Sequence, residues 1–520
     1  MKLVQTLNKI KSNKNSILIA LFLFFASLVY RLPFWFIDVM NWDESTFIIM
    51  GKSILDGNFL YLEFWDLKPP LAFLSVSAIM FLLGESIYSM RFLGAFSVFA
   101  SSLLIYFIGR KLFNPIFSLL LAFLSIPMMS IYFSGQSTLT EHIAMPFTLA
   151  AFYVCFKKKS ISIKYAAIMG LLISLAAMVR LNMAYISIPM GIIIIIYSNR
   201  STILGRIVTV AAYIFSGLLP LFFLIAFYAY HGELELLFNS LVVASLSYST
   251  EQKSIFQSLL ILTYHFIKLD GLLYISFKFL MFFSALIGVI ILLLRLYKNN
   301  NHILIKLLVL SLALIFSVLS SGGAFRHYLI QLSPIVVIFS GFFFEKINDY
   351  KYLSYFFIPM IIFFLILDSE DELSQYKSIY AKTINQEPVK NGYGYWAEKQ
   401  INKLELCDYS FYAMSHHITY FLLDKKPPIP IVTHPSNLSK DFIIKALYGK
   451  QATPQSELKK IMLQEPTIIL KYKNLRYLKN YPSLEDSFNT YLQQYSIYAE
   501  KDNLQIYLRR DLLENNDLCM

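Results

Sequence analysis

Hydrophobic residues fall into long unbroken runs, not into the short amphipathic periods of a water-soluble fold. Eleven runs, at roughly 16–36, 92–109, 115–133, 139–156, 164–179, 183–198, 207–229, 271–294, 304–320, 328–344 and 352–367, approach the ~20 residues that carry an α-helix across ~30 Å of hydrocarbon. The pattern predicts about eleven transmembrane helices. One further run, Pro69–Leu83, is shorter and opens on a Pro-Pro pair.

Loop charge decides how that short run is read. If it does not span, the basic clusters share one side: Lys2, Lys9, Lys11 and Lys14; Arg110-Lys111; Lys157–Lys159 with Lys164; Arg200 with Arg206; Arg295 with Lys298 and Lys306; Lys346 with Lys351. Only Glu345 and Asp349 offset them there, which is the cytoplasmic signature. If it spanned, most of those clusters would move outside. Pro69–Leu83 is therefore predicted to be interfacial or re-entrant, with the N-terminus cytoplasmic and the C-terminal region outside. The first run has the length of a span and no small-residue cleavage site, so it is expected to be a retained anchor.

Composition agrees with this reading. The chain is 57% hydrophobic and 15% charged, against about 25% charged in a soluble domain. Disordered, fibrous and ordinary cytosolic proteins are excluded. The net charge of +12 lies almost entirely on the hydrophobic part. It reflects cytoplasmic loops and calls for no nucleic-acid partner.

After Asp368 the pattern changes. Strand-like runs (Tyr409–Met414, Thr467–Lys471, Ser496–Ala499, Leu504–Leu508) alternate with helix-like ones (Trp396–Leu404, Phe442–Leu447, Ser456–Leu463), and Asp502-Asn503 reads as a hairpin turn. The expected organisation is a membrane domain over 1–368, with a first outer loop at 37–91, and an outer α/β domain over 369–520. Cys407 and Cys519 fall on the oxidising side, where a disulfide between them is one alternative and two free thiols the other.

The first outer loop concentrates the chemistry. Six acids, Asp38, Asp43, Glu44, Asp56, Glu63 and Asp66, lie within about thirty residues next to the membrane. Adjacent acids on a helix point in different directions, so Asp43 and Glu44 are expected to differ in role. A carboxylate at the hydrocarbon surface is suited to general-base work. The alternative is local: these acids solvate the loop, and Asp43 or Ser45 caps a helix. Lys68-Pro69-Pro70 places a cation on a rigid turn at the interface, suited to an anionic lipid phosphate.

These residues resemble the GT-C fold glycosyltransferases, above all the bacterial relatives of protein O-mannosyltransferases and of the aminoarabinose transferase that modifies lipid A. The likeness rests on the Asp43-Glu44 pair in a long first outer loop and on Lys68-Pro69-Pro70-Leu71. It continues at Arg91-Phe92-Leu93-Gly94, Gly109–Phe113, Thr140-Glu141-His142 and Arg326–Pro334. The resemblance implies a polytopic α-helical membrane enzyme with interfacial helices in its first loop. Such an enzyme moves a sugar, with inversion, from a polyprenyl-phosphate donor to an acceptor hydroxyl at the outer face. It implies Asp43 as general base, Glu44 as the residue that orients the acceptor or supports Asp43, and Lys68 as the contact to the leaving phosphate. Glu141 takes the place of a second-loop acid, although Glu141-His142 departs from the commoner Asp-containing pattern.

Arg180, Arg326 and His327 sit at predicted outer span ends, where a guanidinium can meet a phosphate bidentately or simply snorkel to the headgroups. Arg180 and Arg326 are the expected further phosphate contacts. Glu141, His142, His327 and Tyr328 are the expected substrate contacts. His416-His417 lacks ligand-spaced partners for zinc. Tyr393-Gly394-Tyr395-Trp396 suits either sugar stacking or a core. With no Asp-x-Asp, no cofactor or metal is expected.

The Lys-, Ile- and Asn-rich composition fits an AT-rich bacterial genome, hence an undecaprenyl carrier and an inner membrane. The acceptor is left open among lipid A, another glycan and protein. A secondary transporter would place its charges at the midplane on broken helices, often in two matching halves. Here the acids lie in loops and no repeat is visible. A polysaccharide polymerase or ligase, and a non-catalytic scaffold with an outer binding module, are the other readings.

Overall fold

A computed structural model describes residues 2–250, 253–268, 276–406, 408–433, 438–475 and 478–511. Cys407 and Cys519 lie outside the described residues, and so does their pairing. Each of the eleven predicted runs contains a helix, from Lys2–Arg31 through Ile87–Gly109, Thr140–Lys157 and Ile203–Tyr230 to Lys351–Asp368. Among the described residues, six stretches are long and apolar enough to cross a membrane: Asn15–Phe34, Ile87–Gly109, Ile203–Tyr230, Phe277–Lys298, His302–Ser320 and Arg326–Asn348. Shorter apolar helices, among them Pro115–Ser130 and Ile163–Val179, accompany them. The protein is a multi-pass helical membrane protein. Pro70–Leu83 is a helix of 14 residues, about 21 Å long at 1.5 Å per residue.

The contacts divide the chain into two compact units, and not at Asp368. The first comprises Met1–Phe34, Arg91–Leu224 and Lys253–Ala381; the second comprises Trp35–Met90, Ile225–Gln252 and Lys382–Met520. The division at 368/369 followed composition. Packing instead groups the first loop with the C-terminal segment, and it keeps most of the polar helix Glu370–Ile384 with the membrane helices.

In the first unit, helix Phe277–Lys298 packs closely on Leu329–Asn348. Gly288 permits this, since a Cβ there would run into the carbonyl of Phe339. Small residues at a helix contact are the usual means of close packing between membrane helices. Polar side chains finish the helix ends. Lys306 Nζ donates to the carbonyls of Cys155 and Lys158 at 3.0 and 3.1 Å, closing the end of Thr140–Lys157. The buried Arg31 donates to the carbonyls of Gln136 and Ser137 at 3.1 and 2.9 Å, and also to that of Gly135. It thereby fixes the turn that leads into Thr140–Lys157.

The second unit is built around a four-stranded sheet. Its strands β1 (Phe411–Ala413), β2 (Ile468–Tyr472), β3 (Tyr495–Lys501) and β4 (Leu504–Arg509) lie in the order β1-β2-β4-β3. β1 runs parallel to β2, with Tyr412 opposite Ile469; β4 runs antiparallel to both β2 and β3, with Leu470 opposite Ile506. These are the four predicted strands, and Asp502 turns the hairpin at φ 52°. The first loop is part of this unit. Helix Trp42–Leu55 packs on Pro70–Leu83 and on Ile418–Leu422. The Thr46 hydroxyl donates to the carbonyl of Val432 at 2.8 Å, and that of Thr433 to Asp66 at 2.7 Å. Trp65 is fully buried and donates to Ser240 at 2.8 Å.

Candidate functional site

In the second unit the candidate chemistry stands at the start of helix Trp42–Leu55. Asn41 is its N-cap: the side chain accepts from the N–H of Asp43 at 3.0 Å, and Glu44 reaches back to the N–H groups of Asn41 and Met40 at 3.3 and 2.9 Å. This is a reciprocal capping box. The sequence pointed to Asp43 or Ser45 as the cap. Asn41 takes it because Asn41 and Glu44 have the N-cap-to-N3 spacing, while Ser45 Oγ turns back to the carbonyl of Trp42 at 2.6 Å. Glu44 is 1% exposed, and the cap accounts for its position without chemistry.

Asp43, one residue earlier, points elsewhere. Its Oδ2 lies 3.3 Å from Lys68 Nζ, with the two side chains 31% and 18% exposed. Lys68 also stands 3.8 Å from the buried Asp66, and 5.3 Å from the centre of the Phe47 ring. Asp66 in turn accepts the N–H of Lys68 at 2.9 Å, so the turn that delivers the lysine is held by the carboxylate beside it. Pro70 begins the next helix at its first position, where a missing N–H costs nothing. Asp43 thus presents a partly exposed carboxylate beside the Lys68 ammonium.

In the first unit a second acid–base cluster stands at the start of Thr140–Lys157. Glu141 Oε1 meets Arg180 Nη1 at 2.7 Å, with side chains only 1% and 10% exposed. Arg180 donates to Thr140 at 3.1 Å and lies over the Tyr328 ring, 4.3 Å from its centre. His327 Nε2 stands 3.7 Å from the same Glu141 oxygen, and its ring stacks on Phe325. Four of the predicted residues, Glu141, Arg180, His327 and Tyr328, thus come together here. Arg326 is exposed, held through Nη2 and Nε on the Ser134 hydroxyl at 2.9 and 3.2 Å. Ser134 sits at φ 64°, in a turn fixed by Arg31.

His142 has a different place. It is 1% exposed, with Nε2 at 2.9 Å from the carbonyl of Met129 and Nδ1 accepting the N–H of Leu139 at 3.3 Å. These bonds tie the helix start to the preceding helix. His416 and His417 are engaged by Tyr472 and by the Val432 carbonyl, and burial pushes both down to about 4. Among the described residues no group of three or more potential metal ligands occurs.

Sequence reasoning gave no role to Arg31 and read Asp38 only as one of the six loop acids. Asp38 is 3% exposed and accepts the N–H of Gly394, anchoring helix Tyr393–Asn402. Gly392 begins that helix at φ 128°, where a Cβ would collide with the Asp38 carboxylate. The available signal was a Gly-x-Gly in the C-terminal segment, with nothing local to require it.

Comparison with known proteins finds likenesses to part of the sequence and to the fold. Residues 67–230 match the family described as dolichyl-phosphate-mannose-protein mannosyltransferase. The matched segment holds Lys68, Glu141, His142 and Arg180, but not Asp43 or Arg326. The whole fold is similar to that of ArnT from Cupriavidus metallidurans bound to undecaprenyl phosphate, with TM-score 0.61 and 11% identity over 96% of this chain and 98% of that one. The apo state of the same protein aligns at TM-score 0.52 and 10% identity, over the same shares of the two chains. No curated protein matches the sequence. The chain has the fold of the GT-C membrane glycosyltransferases.

Proposed function

We propose that the protein transfers a sugar from a polyprenyl-phosphate carrier, undecaprenyl phosphate in a bacterium, to an acceptor hydroxyl at the outer face of the inner membrane. The N-terminus is then cytoplasmic and the C-terminal α/β region extracytoplasmic. The observation that carries the reading is the Asp43–Lys68 pair on a capped helix of the first loop. The matched mannosyltransferase segment and the fold shared with a protein solved on undecaprenyl phosphate support it.

In the proposed reaction Asp43 accepts the proton of the acceptor hydroxyl as its oxygen attacks the anomeric carbon. The bond from that carbon to the phosphate oxygen breaks, and the lipid phosphate leaves with the electron pair. Inversion follows from a single displacement. Lys68 balances the charge growing on the leaving oxygen, in a dry site the largest contribution such an enzyme supplies. Arg326 and Arg180 are each proposed to meet an anionic group of the donor, and His327 with Tyr328 to contact the sugar. Glu141 serves by holding Arg180, and Glu44 by fixing the helix that carries Asp43. No metal enters the scheme.

The test compares envelope glycans by mass spectrometry in three strains: a deletion, the deletion with the intact gene, and the deletion with Asp43→Asn at matched membrane levels. One sugar-sized mass is expected to vanish in the deletion and to return only with the intact gene. Full restoration by Asp43→Asn removes Asp43 as the base. An unchanged glycan profile in the deletion counts against the transferase.

A further inference from the structure

The first loop and the C-terminal sheet share an aromatic cluster that the reaction above leaves unused. Trp42, the residue before Asp43, stands 6.5 Å ring to ring from Tyr472 at the end of β2, with the planes inclined by 30°. Tyr472 meets His416 edge-on at 5.2 Å, and its hydroxyl is hydrogen-bonded to His416 Nε2 at 2.5 Å. Tyr393 also packs against His416, at 5.2 Å. Trp42, Tyr393 and Tyr472 are only half-buried, unlike the core rings Phe47, Phe73 and Tyr412.

Three further observations set this cluster apart from ordinary packing. His416 adopts φ 56°, a left-handed conformation that is uncommon for a non-glycine residue and collects at functional sites. Its Nδ1 is buried with no hydrogen-bond partner among the described residues. Polar groups edge the rings: Tyr393 Oη donates to Asp502 at 3.1 Å, and Lys501 Nζ lies 5.7 Å from the centre of the Tyr393 ring. Asp38 holds the helix that presents Tyr393.

We propose that Trp42, Tyr393, His416 and Tyr472 form a platform for a sugar ring of the acceptor, so that the acceptor of this protein is a saccharide. This rests on the transferase reading and names its acceptor class. A pyranose has an apolar C–H face that stacks on aromatic rings and a rim of hydroxyls that needs donors and acceptors, here His416 Nδ1, Asp502 and Lys501. Trp42 directly precedes in sequence the residue assigned as the base.

The test uses the full chain in phospholipid nanodiscs, free of glycoside detergents, with cellobiose and N,N′-diacetylchitobiose as probes in saturation-transfer-difference NMR. Saturation at the ring C–H protons is expected, with half-saturation in the millimolar range of a single stacked sugar. Trp42→Ala and Tyr472→Ala should weaken it about five-fold. Tyr393→Phe and Tyr472→Phe keep the rings and should hold most of the signal, separating loss of the platform from misfolding. No saturation by either sugar, or equal saturation in the alanine variants, overturns the proposal. So does a Ser/Thr peptide that is saturated in their place and loses its signal in the same variants. Asp43→Asn should lose transfer yet keep the sugar signal. If the sugar signal stands while the intact protein transfers nothing from any polyprenyl-phosphate sugar, the platform survives and the transferase reading alone falls.

Discussion

Two acid–base pairs with the same chemistry differ in nearly every physical respect. Glu141–Arg180 is short, at 2.7 Å, and its carboxylate is almost wholly enclosed. Its arginine is further fixed by Thr140 and the Tyr328 ring. Asp43–Lys68 is looser, at 3.3 Å, with both partners partly open and the lysine shared with Asp66. A closed pair must stay paired, because removing one partner strands a charge away from water. An open pair can exchange its partner for substrate. The comparison therefore assigns to Glu141 the holding of Arg180, and proton transfer to the open pair.

The largest expected effects break that comparison from opposite ends. Asp43→Asn should lower transfer by about 10²–10⁴-fold, the usual contribution of a general base, while thermal unfolding moves little. Release of polyprenyl phosphate from a labelled donor, measured alongside thermal unfolding in nanodiscs, reads both. Glu141→Gln should do the reverse. It leaves the Arg180 guanidinium uncompensated and should destabilise its unit by about 3–5 kcal/mol, with activity falling in step with folded protein. If Glu141→Gln folded normally and lost catalysis alone, the division of labour would be wrong.

Much of this was legible in advance. Eleven apolar runs gave the helices, and Pro69–Leu83, set aside on loop charge as interfacial or re-entrant, holds a helix of 14 residues. Alternation and a turn signal gave all four strands. What stayed hidden depends on contacts far apart in the chain. Thr46 meets Val432 across 386 positions, and no composition shift at Asp368 reveals that the first loop belongs with the C-terminal sheet. Glu141 finds Arg180 only through the helix pair that carries them. His142 looked like a site residue because it follows Glu141, yet its ring points back to Met129. The Asn41 cap was readable from its spacing to Glu44 but was overshadowed by the acids beside it.

A smaller effect probes the fold around the open pair. His416 and His417 have folded values near 4, against about 6.5 in an unfolded chain. Above pH 6.5 both states hold the rings neutral and stability is at its maximum. As pH falls from 6.5 toward 4 the unfolded chain takes up protons first, so stability falls, by on the order of 2 kcal/mol per ring at pH 5. Unfolding of the wild type should therefore become easier across this window. His416→Asn should flatten the slope, since Asn tolerates the left-handed backbone and does not titrate. An unchanged slope would mean that these rings are not held neutral.

The smallest effect separates the two neighbours in the capping box. If Glu44 acts only as the N3 residue, Glu44→Gln should be nearly silent in both stability and transfer, because an amide oxygen still accepts the N–H groups of Met40 and Asn41. Glu44→Ala removes that acceptor and should cost about 1 kcal/mol, with a modest loss of activity as the helix start that carries Asp43 loosens. A carboxylate that moved protons would give the opposite ranking: Gln would be as damaging as Ala, because shape is kept and basicity is lost. Parallel kinetics and thermal unfolding of the two variants distinguish these cases. A large loss of transfer in Glu44→Gln at full stability would return Glu44 to the chemistry and make the open site a two-acid centre.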